Sequence, residues 1–197
     1  DKDWRFFTWK SSLVLPPDVI ESAKRQLDTK TFLQEYEASF ESPGVTAYYC
    51  FDGHNIVSQD FDRNARTVMC WDFNASSTKP MSTGLLQEFG NRWVLTKEFV
   101  YLNSNTDEQC QKIKEFFNEV NFCGVLEITG DYSGTRRESN ATSSDYTIIE
   151  QYFRNYSGYI LNTRPTKAIR DRVAATNALF RNMANERRLF IDRQCKQ

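Results

Sequence analysis

Three strand-like runs follow one another with almost no chain between them, and this succession limits the fold more than any other feature of the sequence. They cover residues 67–73, about 82–90 and about 92–102, and Gly90-Asn91 joins the last two. Gly and Asn accept the positive φ that a two-residue hairpin turn requires, so this stretch is expected to form an antiparallel meander. What comes next changes period. "TDEQCQKIKEFFNEV" places Cys110, Ile113, Phe116, Phe117 and Val120 on one helical face, with Thr106 as the expected N-cap. "GVLEIT", residues 124–129, reads as a buried strand ending at Gly130-Asp131, followed by a helix at about 145–155 and a strand, "GYILN", at 158–162. A long helix from Pro165 to about Ala184 and a short strand, "RRLFI", complete the order. Antiparallel strands followed by alternating helices and strands predict an α/β fold, a mixed sheet with helices on both faces.

Upstream, "LPPDVIESAKRQL" has prolines at a helix start and apolar residues at Val19, Ile20, Ala23 and Leu27. "VTAYYCF" and "NIVSQ" flank Asp52-Gly53, which predicts a second hairpin. Residues 1–44 are expected to be an arm and helix, and residues 45–197 the main domain.

Charge and cysteines narrow the chemistry. Net charge is -1, yet from Arg164 onward nine Lys/Arg face three Asp/Glu, whereas the rest of the chain carries 16 against 23. A basic C-terminal stretch suits an anion-facing surface or a solvated helix face. The five cysteines are odd in number and none has CxxC spacing, which points to free thiols and a reducing compartment; Cys70 and Cys123 are expected to be buried. No apolar run reaches membrane-spanning length.

Asp72 ends the first strand run, after Val68, Met69, Cys70 and Trp71, and Asp131 ends the fourth. If those two strands pair in parallel, both carboxylates reach one edge of the sheet, where open α/β sheets bind ligands. Two neighbouring carboxylates repel and favour a shared hard cation, Mg²⁺ or Mn²⁺. His54 is the only histidine, which argues against histidine-cluster metal hydrolysis and Ser–His–Asp catalysis. Either aspartate could equally be a turn former.

"MCWDFNASSTKPM" resembles the first nuclease motif of the large terminase subunit of tailed bacteriophages, where a hydrophobic strand ends in Asp-Phe-Asn with Pro-Met shortly after. "EITGDYSGTRRESNATSSDYTIIEQYF" is similar to the second motif of that family, and "RPTKAIRDRVAATNALFRN" and "RRLFIDRQCK" to its downstream helix and strand. "FLQEYEASFES" looks like the join between ATPase and nuclease domains. The resemblance covers nearly the whole chain in the right order.

It implies a ribonuclease H-like fold and a divalent-metal-dependent endonuclease that cuts concatemeric viral DNA while an attached ATPase drives packaging. Asp72 and Asp131 would be the catalytic, metal-binding acids, with Asp145 a further metal-binding candidate, and two ions of Mg²⁺ or Mn²⁺ are implied. Asp145 serves equally well as first-turn charge after a Ser144 cap. Arg136 and Arg137, on the loop after Asp131, and Lys167, Arg170 and Arg172, on the long helix, are candidate contacts to double-stranded DNA. The implied partners are viral DNA, the ATPase domain of the same polypeptide, the portal and the small terminase subunit, in the host cytoplasm, with no membrane.

Two departures stand beside the resemblance. The family's third acid lies on a helix beyond the Cys-Lys pair, and this sequence ends at Gln197 without it; Asp171 and Asp192 are poor substitutes. The fragment is therefore expected to be truncated, to bind metal weakly and to cut poorly. No Gly-x-x-x-x-Gly-Lys-Ser/Thr sequence is present, so the motor itself lies elsewhere. The competing functions are another ribonuclease H-like nuclease such as a resolvase, and a non-catalytic module that binds DNA or the portal.

Overall fold

A computed structural model of the chain describes residues 7–40, 46–74, 78–135, 143–163 and 167–195. Two compact units emerge, one of residues 1–55 with 167–189, the other of 56–166 with 190–197. Residues 46–55 and the long helix fall in the same unit as the N-terminal arm. Among the described residues, no helix is long and apolar enough to cross a membrane.

The second unit is built on a seven-stranded sheet of order β1-β7-β4-β3-β2-β5-β6. The strands are β1 (Ile56–Val57), β2 (Thr67–Asp72), β3 (Met81–Phe89), β4 (Arg92–Tyr101), β5 (Leu126–Gly130), β6 (Ile160–Asn162) and β7 (Leu189–Asp192). β2, β3 and β4 form the expected antiparallel meander. Gly90, at φ 65°, closes the turn opposite the Phe89–Arg92 pair. β5 and β6 then add in parallel. Along β2 every second residue, Thr67, Met69 and Trp71, is buried, the period-two pattern of a half-buried strand.

That buried face meets two helices, α3 (Thr106–Glu119) and α4 (Asp145–Phe153). Cys110, Ile113 and Phe117 of the first and Tyr146, Ile149 and Phe153 of the second repeat the same i, i+3, i+7 spacing. Both stripes pack on Met69, Trp71, Leu85, Phe99, Leu126 and Ile128. The N-cap of α3 is Asn105, whose side chain accepts from the Glu108 N–H, not the expected Thr106. The Thr106 hydroxyl donates to Asp145 instead. Cys110 is fully buried, whereas Cys123 is exposed and donates to Asn64 at 3.0 Å, against the expectation of burial. It sits past the end of α3, where the chain turns at Asn121 (φ 52°) before β5 begins.

The first unit holds α1 (Pro17–Gln26), α2 (Thr29–Tyr36) and α5 (Ile169–Phe180). The segment expected as one helix divides because Asp28 caps a second one, its carboxylate accepting from Thr31 N–H at 3.1 Å and Thr31 hydroxyl at 2.7 Å. α5 is shorter than expected and ends at Phe180; Arg181 is extended. Asn182 then binds the backbone of Glu186 and Arg25 and holds the chain out of helical form. Asn177 is fully buried and ties α5 to the Cys50 N–H and the Ala47 carbonyl.

The expected hairpin at Asp52-Gly53 does not form. Gly53–Asn55 is a 3-10 turn, and Gly53 has no positive φ. The Asp52 carboxylate accepts the His54 N–H at 2.9 Å and binds Arg187 at 2.7 Å. Those bonds hold Asp52 well below the usual carboxylate range, the Arg187 hydrogen bond contributing most. A turn claimed by a distant arginine is not free to serve as a hairpin loop. Ile56 and Val57 pair in parallel with Ile191 and Asp192 instead.

Candidate metal centre at the sheet edge

The two aspartates are brought side by side. β2 and β5 are parallel with Trp71 opposite Gly130, so Asp72 and Asp131 occupy the next register positions at the carboxyl ends of both strands. The Asp131 N–H reaches back to the Trp71 carbonyl at 3.3 Å, carrying the pairing one residue past the strand. Adjacent strands lie about 4.8 Å apart, which sets the scale of the gap between the two backbones. Asp72 is exposed, and among the described residues none donates to its carboxylate. Asp131 begins a tight turn, its carboxylate accepting the Ser133 N–H at 3.4 Å.

Close approach explains the glycine before Asp131. A Cβ on Gly130 would stand 2.7 Å from the Trp71 carbonyl oxygen and 3.0 Å from the Tyr146 hydroxyl. Tyr146 is buried and donates to the Asp131 carbonyl at 3.2 Å. Burial, and then the nearby charges of Asp131, Cys70 and Asp145, push its pKa up to about 12. The hydroxyl therefore keeps its proton and remains a donor at neutral pH.

Asp145 is the first residue of α4, after Ser144, which caps the helix by accepting the Thr147 N–H. Its carboxylate accepts the Thr106 hydroxyl at 2.6 Å, a short bond that links the starts of α3 and α4. Of the two roles weighed from the sequence, these contacts serve the one at the helix start. Asp192 is buried and fully engaged by the backbone N–H groups of Gln59 and Gln194. Asp171 lies exposed in the first turn of α5. β7, which carries Asp192, is separated from β2 by β4 and β3.

Of the expected DNA contacts, Arg136 and Arg137 lie outside the described residues. Lys167, Arg170 and Arg172 are exposed at and before the start of α5, in the first unit. Among the described residues, no group of three or more His, Cys, Asp and Glu side chains gathers to hold an ion. Two carboxylates at an open edge still fit a hard divalent cation, since Mg²⁺ is commonly held by one or two carboxylates, water and substrate phosphate. Sequence reasoning gave Thr106 only a capping role and Phe73, Gly134 and Tyr146 none, although Phe73 and Tyr146 directly follow acids already singled out.

No family model and no curated protein matches the sequence. Solved structures do. The large terminase of a thermophilic bacteriophage, in complex with ADP, aligns with 93% of this chain and 42% of its own at 14% identity and a TM-score of 0.65. A second structure of the same terminase gives 16% identity, 93% and 43% coverage, and a TM-score of 0.62. The P22 large terminase nuclease domain covers 76% of this chain and 73% of its own at 8% identity, with a TM-score of 0.52. This chain spans about two fifths of the thermophilic phage's terminase chains. The likeness is one of fold: the mixed sheet is ribonuclease H-like, as in these terminases.

Proposed function

We propose that this chain is the nuclease domain of a phage large terminase, a divalent-metal-dependent endodeoxyribonuclease that cuts concatemeric viral DNA. One observation carries the reading: the parallel register of β2 and β5, which sets Asp72 beside Asp131 at the open edge of a terminase-like sheet. Asp72 and Asp131 would hold the cation, Mg²⁺ or Mn²⁺; when bound, such ions supply Lewis-acid activation for phosphodiester hydrolysis.

The remaining work falls to the chain itself. The exposed Asp72 leaves the edge open to a phosphate. Asp131 is oriented by its own turn and by the Tyr146 hydroxyl. Arg136 and Arg137, next along the chain, and Lys167, Arg170 and Arg172 are proposed to bind DNA phosphates, making affinity salt-dependent and indifferent to sequence. The attached ATPase, the portal and the small subunit are the proposed partners.

The test is nicking of supercoiled plasmid in Mn²⁺ or Mg²⁺, with DNA retention measured in parallel. Asp72→Asn and Asp131→Asn are expected to lower the nicking rate by more than about 100-fold, beyond the usual cost of an outer-shell change, with circular dichroism unchanged. DNA retention without metal-dependent nicking by the wild type would favour a non-catalytic binding module. Equal nicking by wild type and both variants would refute the site.

A further inference from the structure

Each of the three acids near the edge has a neighbour in one packed knot. Phe73, which follows Asp72, stacks on Trp71 at 5.7 Å and meets Tyr146 edge-on at 5.2 Å. Tyr146 follows Asp145 and donates to the Asp131 carbonyl. Gly134, three residues past Asp131, donates its N–H to the same carbonyl at 3.1 Å and is buried. It lies so close under the Phe73 ring that a Cβ there would stand 2.4 Å from the ring edge. The Asp131 carbonyl thus receives two donors, one from its own turn and one from α4, while the ring of Phe73 presses on that turn from the end of β2.

We propose that Phe73, Gly134 and Tyr146 form a latch whose task is to hold Asp131 in register with Asp72, making them positioning residues for the cation. The proposal rests on the nuclease reading above. Hydrophobic stability alone would not call for this arrangement. An aromatic ring needs no glycine beneath it to be buried, and a tyrosine needs no carbonyl at the first residue of a turn rather than elsewhere. Here both specific contacts converge on the five-residue turn 131–135 that carries the acid. Outer partners of metal-binding groups commonly tune affinity by about 10–100-fold without touching the ion.

Mn²⁺ binding to the whole chain, titrated by electron paramagnetic resonance, tests this apart from activity. Tyr146→Phe removes only the hydroxyl, and Gly134→Ala inserts one methyl against Phe73. Each is expected to weaken Mn²⁺ about tenfold, while Asp72→Asn abolishes binding. Ile149→Val, a fully buried change on the same helix, serves as the stability control. It is expected to lower Tm comparably and leave the Mn²⁺ affinity intact. Wild-type affinity in both latch variants, or an equal loss in Ile149→Val, overturns the latch while leaving the nuclease reading standing. A wild type that binds no Mn²⁺ refutes the nuclease reading, and the latch falls with it.

Discussion

The end of β7 and the end of β2 look alike in sequence and differ in what surrounds them. Each strand closes on an aspartate, Asp192 in one and Asp72 in the other. Asp192 is 2% exposed, and its two carboxylate oxygens accept the N–H groups of Gln59 at 2.7 Å and Gln194 at 2.8 Å. At Asp72 the side chain faces solvent, no described residue donates to it, and a second aspartate occupies the neighbouring register position. The first acid completes the fold and the second is left over by it. A buried carboxylate without partners would be costly, so the fold supplies them; an exposed one incurs no such cost, and its availability is what a cation requires. The opposite ends of β2 and β5 make the same point. There Arg66 bridges Glu88 at 3.0 Å and Glu127 at 2.8 Å, so acids on the neighbouring strands are neutralised from within the protein.

The contrast between the two strand ends breaks most visibly at Asp192. Asp192→Ala leaves two backbone donors without acceptors and is expected to cost about 2–3 kcal/mol. That would appear as a fall in Tm of about 5–10 °C, with Mn²⁺ affinity unchanged. Unchanged stability would mean that the two strand ends are not different in kind. A smaller effect is expected at Arg66. Its side chain is 45% exposed, so solvent screens the pair with the two glutamates, and Arg66→Ala should cost about 1 kcal/mol or less. Urea titration at low and high salt checks this, since the difference between wild type and variant should shrink as salt rises.

Local pattern made the meander, α3, α4 and the parallel strands legible, because alternation and helical spacing are written in consecutive residues. Trp71-Asp72 and Gly130-Asp131 could be read as strand ends for the same reason, and parallel pairing then made them neighbours. What the sequence concealed is long-range. Asp52-Gly53 has hairpin chemistry, but Arg187, 135 residues away, claims the aspartate. Thr106 reads as the cap of α3, yet Asn105 takes that position and the Thr106 hydroxyl donates to Asp145, 39 residues away, at 2.6 Å. Asp192 and Asp72 read alike in one respect, as aspartates closing an apolar strand. The N–H groups of Gln59, on the chain leaving β1, and of Gln194 engage Asp192 and have no counterpart among the described residues at Asp72.

The smallest effect is the most discriminating. Asp72→Asn removes one of two adjacent negative charges without removing a hydrogen bond from any described residue. Without metal, the variant should therefore be as stable as the wild type or slightly more so, by about 1 °C in Tm, since like charges at neighbouring positions disfavour each other. Adding Mn²⁺ should reverse the order. At ten times its Kd an ion that binds only the folded state adds about 1.4 kcal/mol, and only the wild type can collect it. Thermal melts of both proteins with and without Mn²⁺ should cross in rank. A carboxylate like Asp192 would give the opposite result, a loss on substitution that metal neither causes nor cures. If Asp72→Asn destabilises the metal-free protein as Asp192→Ala is expected to, then Asp72 too serves the fold, and the site loses its first ligand.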